Sequence, residues 1–491
     1  MNCIKYLHFN LYTSIALLAG LLFLTLEDYA IAQQSVLQGG IAQVEITPPE
    51  GYTQYRGPAT GVKDPLYAKA VVFHQGEEKA ALVVCDLIRI TRELSMETRS
   101  LISEQTGIPF ENIIIAATHT HTGPVYRFEM KEYVGRKRAD DLSEEDNRTY
   151  AALLIQNIAK AAIEASKTAI PVNLESGTGI AEDISFNRRF IMKDGRVRFN
   201  PGVGNPNAIR SEGPNDPEVG ILFMRSASDN RPIASLTGFA NHTDTVGGTE
   251  FSADYPFYLA RALNVAFGDD FISIFLQGAS GNINHIDVVA GSHQEGSGTV
   301  TQRIGEKLAF VVREEISSLK KSAYPSLAVR SEVVYAPLQQ YTEEELHWAL
   351  NEDREPLYEE RPFLQNVRAR KIRWLEDMKN NGEAIPPTAG TGPWTLPLEV
   401  QVFRVGEDAA IVGLPGEVFV ELGLSIKEES PFKTTLVVEM TNTNINYVPT
   451  KEAFTRGDYE TVNSRIAPGG GEMMVETAVK ILNELMAELS E

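Results

Sequence analysis

The sequence predicts an α/β protein: mixed β-sheets with flanking helices, and an active site at the C-terminal ends of strands. Five short apolar runs carry the strand expectation. They span residues 113–117, 234–240, 271–276, 409–414 and 435–440, and Gly, Pro or Asn bounds them as turns bound buried strands. Amphipathic stretches with helical periodicity lie between and around them. Each run also leads into polar residues suited to metal chemistry: His119 and His121, His242, Gln277 with Ser280, Glu417, and Tyr447. Ligand sites in α/β sheets collect beyond the carboxyl ends of strands, so these side chains can meet around one ion.

A length of 491 residues allows one large domain or two ordinary ones, and 43% hydrophobic with 23% charged residues is the composition of a globular protein. Lys5, an apolar stretch at 14–26 and Ala30-Ile31-Ala32 form the pattern of a cleavable secretory signal over residues 1–32. The expected protein is therefore exported, periplasmic or secreted. No other stretch is long and apolar enough to span a bilayer. Without Lys5, Glu27 and Asp28 the net charge is −20. Such a surface repels nucleic acid and anionic lipid, which excludes the first as a partner and leaves at most transient contact with a membrane surface. Cys3 leaves with the signal; Cys85 remains in an apolar run, as a buried, inert thiol.

Residues 33–491 are expected to form one domain. An irregular lead-in covers 33–65, with strands at 68–73 and 80–84. Residues 92–106 read as a helix stopped by Gly107, with Pro109 beyond. Ser143, followed by Glu144 and Glu145, opens a long amphipathic helix to about 166. Asp194-Gly195 signals a hairpin. Helices are expected at 252–267, 301–318 and 472–489, and a charge-dense helical excursion at 342–380. Gly469-Gly470-Gly471 reads as a turn into the last helix, because the remainder of a phosphate-binding loop does not accompany it.

Thr118-His119-Thr120-His121-Thr122-Gly123-Pro124 is the sharpest local feature. In an extended segment, residues two apart share a face, so both imidazoles enter one pocket. Neutral imidazole is a common zinc ligand. His242 follows the next apolar run. Glu417, after Pro415-Gly416, opens a helix-like segment whose dipole favours a carboxylate. Ser280 stands in a tight turn after a strand, but the flanking glycine pattern of a nucleophile elbow is missing.

These motifs resemble the neutral/alkaline, non-lysosomal ceramidases, in their N-terminal catalytic domain. Ala117-Thr118-His119-Thr120-His121-Thr122-Gly123-Pro124 is similar to that family's A-T-H-T-H-S-G-P. Phe239-Ala240-Asn241-His242, Pro415-Gly416-Glu417, Tyr447-Val448-Pro449-Thr450 with Tyr459-Glu460, and Asn187-Arg188 extend the likeness over nearly all the chain after the signal. The resemblance implies zinc (Zn2+) bound by His119, His242, Glu417 and Tyr447. It implies that His121 and Tyr459 stabilise an oxyanion, with Arg188 nearby. Ser280 occupies the place of a family serine, although Gln277-Gly278-Ala279-Ser280-Gly281-Asn282 keeps only the serine and the asparagine of G-D-V-S-P-N.

The expected activity is hydrolysis of the N-acyl bond of ceramide or a related lipid amide by a metal-activated water. Three alternatives stand beside it. The substrate is another amide or ester, such as an acylated amino acid or sugar; the protein is a non-catalytic zinc binder of the same fold; or Ser280 is the nucleophile of a serine hydrolase.

Overall fold

The computed structural model describes residues 36–289, 297–324, 326–351, 356–388 and 391–489. The expected signal, residues 1–32, lies outside the described residues.

Eight strands build the larger sheet: β1 (Gln38–Glu45), β2 (Tyr67–Gln75), β3 (Glu78–Cys85), β4 (Ile113–Ala117), β5 (Ile170–Ile180), β6 (Glu218–Ser226), β7 (Pro232–Phe239) and β8 (Ile272–Gln277). Their order is β8-β7-β6-β5-β1-β2-β3-β4, and the short strand Lys320–Lys321 adds to β5. Only β7/β8 and β3/β4 run parallel; the other neighbours are antiparallel. β1 and β5 meet at two positions alone, Gln38↔Pro171 and Gly39↔Ile170. The sheet therefore divides there into two wings. A second sheet holds β9 (Leu327–Pro337), β10 (Thr395–Val405), β11 (Ala409–Gly413) and β12 (Thr434–Val438) in sequence order, with β11/β12 parallel.

The wings and the second sheet wall one central core. In β3, Ala80, Leu82 and Val84 face that core, and Ala81, Val83 and Cys85 face the helices outside. In β4, Ile114 and Ala116 face inward while Ile113, Ile115 and Ala117 face outward. Period-two alternation between two buried faces explains why these strands read as unbroken apolar runs. Helices α1 (Arg92–Thr106), α2 (Arg127–Arg138) and α3 (Tyr150–Lys167) cover the first wing, and α4 (Tyr255–Phe267) and α5 (Ser297–Glu315) the second. The second sheet is covered by α7 (Pro362–Asn380), α8 (Val420–Glu429) and α9 (Gly470–Ala487); α6 (Glu343–Leu350) packs on α7. Cys85 is buried, and burial holds its thiol well above its ordinary pKa.

Several boundaries differ from the sequence reading. The irregular lead-in contains β1, whose Gly39-Gly40 hides its strand character. A Cβ on Gly40 would meet the Ala165 carbonyl oxygen at 1.8 Å, so glycine is required where α3 crosses the strand. The helix expected from Ser143 starts at Tyr150, with Thr149 as its cap, because Ser143 instead bonds the Asp146 carboxylate through its N–H and hydroxyl at 2.9 and 2.6 Å. α2 was not anticipated; it buries only Met130 and Val134. The excursion at 342–380 is two helices, α6 opening with a capping box between Thr342 and Glu345; residues 352–355 within it lie outside the described residues.

Candidate metal centre

The exits of β4, β7, β8, β11 and β12 converge on one rim. Backbone bonds stitch them together. His121 N–H donates to the Thr243 carbonyl at 3.0 Å, Asn442 N–H to Ile115 at 2.8 Å, Glu439 N–H to Gln277 at 2.9 Å and Gly281 N–H to Val418 at 2.8 Å. The threonines around the histidines complete the stitching. Thr243 Oγ1 donates to the Thr118 carbonyl at 2.6 Å, and the Thr120 and Thr122 hydroxyls donate to the Ser252 carbonyl at 2.6 and 3.0 Å.

His119 and His121 do enter one pocket, but not by strand alternation. His119 has φ 66°, in the left-handed region, so the chain turns there instead of extending. Such backbone persists in non-glycine residues where the surroundings enforce it, often at functional sites. The two rings meet edge to face with centroids 4.8 Å apart.

Imidazole nitrogens of His119, His121 and His242 lie within 4.8 Å of one another. His119 Nε2 is 3.3 Å from His121 Nε2, and Glu417 Oε2 is 3.6 Å from Nε2 of both His119 and His242. Atoms sharing a tetrahedral zinc ion at about 2.0–2.1 Å lie roughly 3.3–3.4 Å apart, so the set fits such an ion. The far nitrogens are already committed: His119 Nδ1 to the Ile88 carbonyl at 2.7 Å, His242 Nδ1 to the Ser280 carbonyl at 2.9 Å. A backbone acceptor at Nδ1 fixes the tautomer that leaves the Nε2 lone pair for a metal. Desolvation, then the neighbouring His119, pushes His121 down to about 3. Burial and the Arg188 guanidinium push His242 down as well. Burial opposes ionisation of Glu417, yet His119 and His242 beside it hold its carboxyl well below the usual range. Neutral imidazoles and an ionised carboxylate form a donor set for a divalent cation.

Glu417 is not at a helix start as the sequence suggested. Glu417–Val418 is a two-residue strand pairing in parallel with Tyr447–Val448, and α8 begins only at Val420. That ladder brings Tyr447 beside the carboxylate. Burial and Glu417 hold the Tyr447 phenol well above its ordinary pKa. Tyr459 stacks edge to face on Tyr447 at 5.4 Å. A Cβ on Gly281 would lie 2.4 Å from the Glu417 carbonyl oxygen, so only glycine lets the two loops approach.

Arg188 is fully fixed. It donates to Glu460 Oε1 at 3.0 Å, to the Gly281 carbonyl at 2.7 Å and to His242 Nε2 at 3.2 Å. The last contact makes Arg188 a competitor of a metal for that lone pair. Glu460, 0% exposed, also accepts from Arg189 at 2.8 Å. Ser280 sits on the other side of His242. Its hydroxyl donates to Glu439 Oε1 at 2.7 Å and accepts from Gln277 Nε2 at 2.7 Å; Glu439 Oε2 accepts from Val418 N–H at 2.6 Å. Sequence reasoning missed Glu439 and Glu460. The signal was present for Glu439, a lone carboxylate inside the run Val437-Val438-Glu439-Met440.

A cavity of about 170 Å³ opens over His119, His121 and Glu417, with Tyr447 and Tyr459 on its wall. Ile88, Pro124 and Val125 make part of its lining apolar, while Arg89, Arg127 and Arg370 stand around Trp374. Sequence reasoning also missed these arginines. Arg127 follows His121 by six residues, but Arg89 and Arg370 lie much farther from the histidines in sequence, and no local pattern joins the three.

Residues 37–254 match the family described as neutral/alkaline non-lysosomal ceramidase, N-terminal. The resemblance read from the motifs holds over that span, which contains His119, His121, Arg188 and His242, whereas Ser280, Glu417, Tyr447 and Tyr459 lie beyond it. The fold is that of a neutral ceramidase crystal structure from Pseudomonas aeruginosa, with a TM-score of 0.66 at 17% identity over 92% of this chain and 75% of that one. A structure described as ceramidase complexed with C2 gives the same TM-score and identity, over 92% of this chain and 76% of that one. No curated protein matches the sequence.

Proposed function

We propose that this chain, with a ceramidase-family match over residues 37–254, is a zinc-dependent hydrolase that cleaves the N-acyl bond of a ceramide-like lipid amide. The observation that carries the reading is the approach of Glu417 Oε2 to Nε2 of His119 and of His242, 3.6 Å in each case, beneath an open cavity. His119, His242 and Glu417 would hold the ion, with Tyr447 as the fourth ligand. Zinc held there would supply positive charge for the acyl carbonyl and would lower the pKa of a water to about 7.

The chain's own residues do the remainder. His121 and Tyr459 line the same cavity and serve as donors to the developing oxyanion. Burial and Glu417 keep the Tyr459 phenol protonated and able to donate. Losing one such donor costs about 10²–10³ in rate. Arg188 directs positive charge at the site from a position fixed by Glu460. Ser280 holds His242 through its carbonyl and anchors Glu439 through its hydroxyl, which makes it a positioning residue rather than a nucleophile. The signal-like segment 1–32 supports an exported, periplasmic or secreted protein.

The test is metal content of the purified protein together with turnover of ceramide and N-acyl amides, before chelation, after chelation and after zinc is restored. Turnover that survives complete removal of metal would sink the proposal.

A further inference from the structure

We infer that the cavity mouth is an anion subsite, built by Arg89, Arg127, Arg370 and Arg465 around Trp374, and that the hydrolysed substrate carries a carboxylate, phosphate or sulfate group there. The inference rests on the proposed hydrolase and narrows its substrate class.

Four guanidinium groups gathered in a chain of net charge −21 need a reason. Arg127, Arg370 and Arg465 all approach one indole, with Cζ 5.5, 5.5 and 4.5 Å from the Trp374 ring. Arg89 and Arg127 line both the cavity over His119 and an adjoining one, Arg370 lines the first, and Arg465 the second. Cation–π contact explains one arginine on a tryptophan. It does not explain several that repel one another.

Direct ion pairs do not compensate them. Among the described residues none of the four forms an ion pair with a carboxylate, whereas the buried Arg99, Arg188 and Arg189 do; Arg465 is buried, Arg89 and Arg127 are half-buried, and Arg370 is exposed. Arg465 is 8% exposed and donates to the Asn444 carbonyl at 2.8 Å, yet its Nε has no partner; Arg127 Nε is likewise buried and unpartnered. Desolvation followed by Arg89 pushes both guanidinium groups down from their usual range. Glu93, Asp377 and Glu383 stand on the wall of the adjoining cavity. None of them comes within ion-pair distance of the four, and burial pushes the Glu383 carboxyl up.

Planar guanidinium groups with free donors recognise oxyanions in pairs. A flat membrane surface cannot reach Arg465, so the anion must arrive on a molecule small enough to enter. The apolar wall at Ile88, Pro124 and Val125 accommodates an acyl chain at the same time. A neutral ceramide leaves the arginines unused.

The experiment compares N-lauroylglycine, N-lauroyl-phosphoethanolamine and the neutral N-lauroylethanolamine on the full chain. Expected is a kcat/KM about 10–100-fold higher for an anionic substrate than for the neutral one, with the two anionic probes separating a carboxylate from a phosphate preference. Arg127→Gln with Arg370→Gln should bring that ratio towards one. Equal turnover of all three, or a ratio that the double variant leaves intact, overturns the subsite while the hydrolase stands. If neither these probes nor ceramide is hydrolysed, the hydrolase reading fails, and calorimetric binding of the same probes decides the subsite alone: tighter binding of the anionic probes supports it, and equal affinity refutes it.

Discussion

Glu439 accepts the hydroxyl of Ser280 at 2.7 Å, on the Nδ1 side of His242. The serine is committed to a buried carboxylate, and burial raises the Glu439 pKa well above the ordinary range. Ser280→Ala should therefore keep turnover within about tenfold of wild type, while the stranded Glu439 costs about 1–3 kcal/mol of stability. Steady-state kinetics beside urea unfolding checks both. Complete inactivation with unchanged metal content would restore the serine to a chemical role.

His121 separates two readings of the centre. As an oxyanion donor, its replacement by alanine leaves zinc bound and lowers kcat by about 10²–10³. As a ligand, which its Nε2 at 3.3 Å from His119 Nε2 also permits, the same change releases the ion. Metal analysis of His121→Ala after dialysis distinguishes them; retained zinc with lost turnover is the expected result.

Glu460, fully buried, pairs with both Arg188 and Arg189, and Glu212 supplies Arg189 with a second carboxylate. Removing one member of a buried ionic group leaves uncompensated charge and costs about 3–5 kcal/mol. Glu460→Gln, which keeps the shape, should lower the urea midpoint accordingly and raise KM or lower kcat through the freed Arg188. An unchanged midpoint would show that the two arginines find other partners.

Lys371, buried on α7 with its ammonium 2.9 Å from Gln339 Oε1, is pushed down to about 8 by burial and then by Arg368. The native state thus binds this proton less tightly than the unfolded chain does. Stability from Lys371 is present above about 10.5 and is lost as pH falls through about 8. The gap between wild type and Lys371→Met should change by about 3 kcal/mol across that window, wild type gaining as pH rises. Parallel urea titrations at pH 8 and 10.5 measure it, and a constant gap refutes it.

Much of the strand content was legible because both faces of β3, β4, β11 and β12 are buried, which makes their sequences continuous apolar runs. α1 was legible to the residue, since Thr91 and Gly107 cap it. β1 was not, because close packing selected glycines there rather than β-formers. At the centre, the histidines announced themselves by spacing, but the turn at His119 and the strand at Glu417 follow from tertiary contacts that no local pattern encodes. Glu460 and the arginines around Trp374 matter through partners far along the chain, and single-sequence periodicity carries nothing about such partners.

The stitched rim has a consequence for the order of events. Its side chains, from His119 to Tyr447, belong to segments that become neighbours only when both wings and the second sheet have docked. An ion that prefers this arrangement would reward finished molecules alone, adding stability that rises with the logarithm of its free concentration above Kd. Loading of the proposed ion would thus act as a final inspection: a chain with one wall ajar could not capture the cation, and would stay silent until it closed.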